Sequence, residues 1–182
     1  MLRTRHLPAI FTVSRLGVGA TAVLLIGCAS TTSQPAAELN QAQACSMLKR
    51  VMSQAGDGFR TLRGTGSTDY DHTRWDAKPI AAGTDCDILS WGGDRIDYAC
   101  TWNKGSEAVA KSDYTDGLSL VRNCLGPDWQ TSHPPGQSGE ATLFSRTGDP
   151  TQVDVRYYKE RDPSTNWQTS LIIGPPVTRD AR

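Results

Sequence analysis

The stretch from Cys86 to Cys100, CDILSWGGDRIDYAC, constrains the fold more than any other part of this chain. Two runs of strand character flank Gly92-Gly93-Asp94, a group of residues suited to a tight reversal. With those three as the loop, Trp91 faces Arg95, Ser90 faces Ile96, Ile88 faces Tyr98, and Cys86 falls opposite Cys100. Side chains alternate across a strand, so Ile88, Ile96 and Tyr98 share the face of the cysteines and Trp91 lies on the other. The chain is therefore expected to hold an antiparallel sheet with one strongly apolar face.

The first residues carry Arg3, Arg5 and Arg15 without an acidic group, and an apolar run follows from Leu16 to Ile26. A basic start followed by a short apolar core is the layout of a secretory signal, and this core is too short for a permanent membrane span. It ends in Leu25-Ile26-Gly27-Cys28, which resembles the lipobox of bacterial lipoproteins. That resemblance implies cleavage after residue 27 and attachment of lipid to Cys28. Each buried methylene adds roughly 0.8 kcal/mol of membrane affinity, so two or three acyl chains hold firmly where one does not. In lipoprotein sorting, alanine rather than aspartate after the cysteine, here Ala29, implies the outer membrane, with the domain facing the periplasm.

Residues 28–40 read as a flexible polar tether, 41–174 as one folded domain and 175–182 as a tail. Three of the 19 basic residues lie in the signal, which leaves 16 (19 less 3) against 19 acidic ones. A slightly acidic domain offers no electrostatic footprint for nucleic acid. With Cys28 assigned to lipid, Cys45, Cys86, Cys100 and Cys124 form an even set in a compartment where disulfides persist. Four cysteines allow three pairings; the hairpin register favours Cys86 with Cys100, leaving Cys45 with Cys124. Their spacing lacks the short clasp of a zinc site.

Apolar residues recur at helical spacing at Ala44, Leu48, Val51, Met52 and Ala55, so a helix is expected over 41–55, stopped by Gly56. A second helix is expected over 112–125, with Tyr114, Leu118, Val121 and Leu125 on one face. Strand character follows each helix, at 59–63, 73–76 and the cysteine hairpin, then at 141–146, 153–158 and 167–173. This order predicts an α+β domain with two helices on one face of an antiparallel sheet, as two α-β-β-β repeats braced by two disulfides. Residues 65–72, 131–139 and 159–165 read as loops.

A search for chemistry finds little. Asp69, Asp71 and His72 are the nearest approach to a metal or acid–base cluster, but no calcium-loop pattern follows them, and they read as a solvated loop. His133 precedes Pro134-Pro135 and reads as exposed. Ser138 lacks the nucleophile-elbow pattern, and Gly56, Gly58, Gly64 and Gly66 read as turns rather than phosphate cradles. No cofactor motif is present in these readings, and no catalytic constellation survives. Trp91 differs from the other tryptophans, which suit a core. It stands beside the hairpin tip, with Asp94 near and Arg95 across, and tryptophan next to arginine is the composition of a binding hot spot. The expected function is a non-catalytic protein-binding module of inhibitor, immunity or envelope-assembly type, with an envelope or secreted protein as partner. A structural lipoprotein on the cell wall and a hydrolase are the alternatives.

Overall fold

The computed structural model describes residues 40–69, 72–78, 81–135, 138–160 and 166–176. Leu25 to Cys28, most of the tether, Asp71 and the end of the tail lie outside the described residues, as does the side chain of Asp69. The first helix, α1 (Gln41–Ser53), starts where Asn40 caps it: the Asn40 side chain accepts from the Gln43 backbone N–H while the Gln43 side chain accepts from that of Asn40. This reciprocal arrangement satisfies two amides that the helix cannot pair internally. Ala44, Leu48 and Val51 are its buried residues.

After α1 the chain makes two short 3-10 turns, Ala55–Asp57 and Arg60–Leu62. Residues 59–63 were expected to be a strand, but Gly58 and Phe59 both take left-handed backbone angles, φ +60° and +58°, which break extension. The strain at Phe59 is offset by burial of its ring against Tyr98 at 5.9 Å between centroids. Four strands then follow, β1 (Arg63–Asp69), β2 (His72–Ala77), β3 (Asp85–Ser90) and β4 (Ile96–Thr101). Residues 65–69, read as loop, belong to β1, and Gly64 and Gly66 lie within that strand rather than in turns. A Cβ on Gly66 would meet the Trp75 indole, which also carries the Arg63 guanidinium 3.9 Å above its ring.

The second helix, α2 (Glu107–Leu125), begins five residues before the expected Ser112, because the Ser106 hydroxyl accepts from the Val109 N–H and sets the start there. Four more strands complete the chain: β5 (Gln130–Ser132), β6 (Glu140–Ser145), β7 (Gln152–Lys159) and β8 (Trp167–Gly174). Each half is thus one helix followed by four strands, where three had been expected. The eight strands form one antiparallel sheet in the order β1-β2-β3-β4-β8-β7-β6-β5, so the last strand of each half meets the other at the centre.

The hairpin register is the one read from the sequence: Ser90 pairs with Ile96, Ile88 with Tyr98 and Cys86 with Cys100. Gly92 and Gly93 turn the chain with φ of +85° and +60°, angles open to glycine at no steric penalty, and the Trp91 N–H donates to the Arg95 carbonyl at 3.2 Å. Cys86 bonds to Cys100 and Cys45 to Cys124, the latter joining α1 to α2. The ladder places Tyr98, Cys100, Thr142, Phe144, Val153, Val155, Leu171 and Ile173 on a single buried face. There α2 packs on β7 and β8: the Thr169 hydroxyl donates to the Ala110 carbonyl at 2.6 Å, and Gly117 lets the helix close on Val155 and Trp102.

Candidate functional site

The opposite face of the sheet, away from α2, carries an unusual run of charge. Three arginines pair with aspartates along it among the described residues: Arg74 with Asp87 at 2.6 Å and with Asp85 at 3.7 Å, Arg95 with Asp97 at 2.7 Å, and Arg156 with Asp154. A row of alternating polar residues on a strand normally faces water. Asp97 does not, being 1% exposed. It sits opposite Gly174 on β8, where a Cβ would fall on its Oδ1, so the missing side chain at residue 174 is what admits the carboxylate. Arg95 forks onto its other oxygen through Nε at 2.9 Å and Nη2 at 2.7 Å.

Several buried polar atoms of this face have no hydrogen-bond partner among the described residues: Oδ1 of Asp97, Oδ1 of Asp154, Nε of Arg156 and Oγ of Ser170. Unmet buried polar atoms cost about 1–3 kcal/mol each, and their concentration in one place is unusual for a folded domain. Asp97 and Asp154 line a small cell of about 30 Å³, with room for a water. Ser170 and Arg156, ladder partners on β8 and β7, border a larger recess of about 550 Å³. Desolvation lowers the Arg156 pKa from its ordinary value, with nearby Arg95 acting in the same direction and Tyr158 and Asp97 opposing it. Desolvation raises that of Tyr158.

Trp91 forms part of the wall of that larger recess and is 49% exposed. His72, on β2 beside it, meets the indole edge-on at 5.9 Å between centroids. Two residues picked out separately in the sequence are thus neighbours. Asp69 is the ladder partner of His72, and among the described residues no group of three or more His, Cys, Asp or Glu could hold a metal. The proposed trio of Trp91, Asp94 and Arg95 does not converge on one recess. Asp94 borders a different cavity, of about 530 Å³, with Gly58, Arg60 and Arg63, while Arg95 is engaged with Asp97.

The remaining sequence candidates have local duties. His133 is exposed, yet its Nδ1 lies 3.2 Å from the Thr142 hydroxyl, which meets the Tyr114 hydroxyl at 2.7 Å. Ser138 accepts from the Lys159 N–H at 3.2 Å at the rim of the Trp91 recess. Sequence reading missed Asp97, Asp154, Arg156 and Ser170. No local signal distinguishes their alternation from that of a wetted strand face. Among the described residues no helix is long and apolar enough to cross a membrane. No family model matches the chain, and no curated protein or solved structure matches it.

Proposed function

We propose that this protein is a lipid-anchored envelope protein whose folded domain binds another protein and carries out no catalysis. In this reading Cys28 bears the lipid, Ala29 directs the protein to the outer membrane, and the domain faces the periplasm. Both helices lie on one face of the sheet, where Cys45–Cys124 staples them, and the face bearing Trp91 is left for the partner. The two helix-plus-four-strand halves are read as an internal duplication, joined at β4 and β8.

The observation that carries the reading is a half-exposed tryptophan in the wall of a recess, on a hairpin braced by the Cys86–Cys100 disulfide. Tryptophan beside a recess supplies large contact area for few rotatable bonds, and a braced hairpin lowers the ordering cost of association. Capture from native envelope with the full chain in detergent tests it, comparing wild type with Trp91→Ala and Val109→Ser. Val109, on α2, is the other large exposed apolar side chain among the described residues. A protein retained by wild type and Val109→Ser but lost with Trp91→Ala is the expected result. Identical sets from wild type and Trp91→Ala contradict the proposal.

A further inference from the structure

We propose that the surface around Trp129 rests on the phospholipid headgroups of the membrane that holds the protein, leaving the sheet face that bears Trp91 to a partner. This goes beyond the protein-binding reading and rests on its lipid anchor at Cys28. Trp129 follows α2 after the Gly126-Pro127 break and forms part of the wall of two recesses, of about 440 and 400 Å³. The first also draws on Lys49 and Met52 of α1 and on Arg146; the second draws on Arg122 of α2, Pro127 and Phe144. Leu125 belongs to both, so the two make one continuous patch.

The patch has the composition of a membrane–water interface. Trp129, Leu125, Met52 and Pro127 supply aromatic and apolar surface, and the amphipathic indole is favoured at headgroup level. Lys49, Arg122 and Arg146 supply cations on long stems, which can cover apolar surface while their charged ends stay at the phosphates. Lys49 and Arg122 are exposed, and Arg146 stands 5.2 Å from the centre of the Trp129 ring. Asp149, paired with Arg146 at 2.8 Å, is the one acidic residue in either wall among the described residues; Asp128, next to Trp129, is exposed and belongs to neither. Three cations against one carboxylate give this patch a positive balance, on a chain that beyond residue 27 holds 19 acidic residues against 16 basic ones. That balance complements an anionic lipid surface.

The anchor leads to the same side of the domain. Cys28 is joined to α1, and Lys49 stands roughly 12 Å along that helix from Gln41 at 1.5 Å per residue. A dozen residues span about 20 Å as a random coil, so the segment 28–40 keeps this surface within reach of the bilayer. Both recesses around Trp129 include helical residues, whereas none lines the Trp91 recess among the described residues. One surface can therefore lie against lipid while the other stays open.

Brominated lipid tests this, because bromine quenches an indole only at near contact. The lipid-bearing protein is reconstituted in vesicles of phosphatidylethanolamine and phosphatidylglycerol, with ordinary acyl chains or with chains brominated near the headgroup, and flotation is measured first. Wild type should float and lose up to roughly a fifth of its tryptophan emission in brominated vesicles, the share of one residue among five. Trp129→Phe should float equally and lose almost none, while Trp91→Phe loses as much as wild type. Lys49→Gln combined with Arg122→Gln should lower the ratio of seated to lifted domain roughly fivefold for each cation removed and so reduce the loss; Lys49→Arg combined with Arg122→Lys should keep it. Equal loss in wild type and Trp129→Phe, or a loss abolished by Trp91→Phe, overturns the proposal with the anchor intact. An unchanged loss in the glutamine variant overturns the part assigned to charge. A protein that does not float overturns the anchor, and this proposal with it.

Discussion

Gly174→Ala places a methyl carbon on top of Oδ1 of Asp97 and 3.0 Å from its Cγ, well inside van der Waals contact. The backbone at residue 174 is extended strand, so the substitution carries no conformational penalty and its effect is steric. Asp97 cannot swing freely, because it is buried and both N–H groups of the Arg95 fork hold its second oxygen. Relieving the clash means displacing the carboxylate and loosening that pair. Overpacking of this kind costs about 1–3 kcal/mol. Removing a partner from a fully buried pair costs about 3–5 kcal/mol, but the Arg95 side chain is 38% exposed and water screens its share. A loss of about 2–3 kcal/mol is expected, which lowers Tm by about 5–10 °C for a domain of this size. Urea unfolding followed by circular dichroism measures it. Asp97→Ala removes the clashing oxygen, so in that background Gly174→Ala should cost less than about 0.5 kcal/mol. A Gly174→Ala protein within 0.5 kcal/mol of wild type, or an equal loss in both backgrounds, refutes the steric account.

The two disulfides close loops of different length, with sequence separations of 79 and 14. Loop-closure entropy then assigns about 4.5 kcal/mol to Cys45–Cys124 and about 3 kcal/mol to Cys86–Cys100, so the double alanine variant of the first pair should have the lower urea midpoint. Burial pushes the Tyr98 phenol up to about 12, although its oxygen accepts from the Ala81 N–H. A folded pKa raised above the unfolded value of about 10 gives stability that is complete below pH 10 and is lost as pH rises through 12. Unfolding free energy measured from pH 9 to 12 should therefore fall by on the order of 2 kcal/mol in wild type, and this component should vanish in Tyr98→Phe, which loses about 1 kcal/mol at neutral pH.

Sequence reading succeeded where short-range rules decide the structure. The hairpin around Gly92-Gly93 was legible because few residue pairs adopt its turn, and the register then placed Cys86 opposite Cys100 without further information. It failed where a distant partner decides. β5 has three residues, all exposed, and forms only by pairing with β6, so nothing in Thr131 and its neighbours announces it. The strand expected at residue 59 was lost to left-handed angles that tertiary packing of Phe59 imposes. Nothing in the sequence marks Asp97 as buried, because its burial depends on Gly174 near the other end of the chain. For the same reason the recess beside Trp91 could not be foreseen: its walls come from β6, β7 and β8, from Pro135 and Ser138, and from Trp91 just past the end of β3, and only Trp91 was marked by its position next to the turn.

The proposed anchoring of a protein partner by Trp91 is measured directly as the dissociation constant of the partner captured from native envelope. Truncating an anchoring tryptophan costs at least about 2 kcal/mol, or roughly thirtyfold in Kd. Trp91→Ala should weaken binding by that factor or more while Val109→Ser stays at the wild-type value. A Trp91→Ala protein that binds the partner within threefold of wild type contradicts the account.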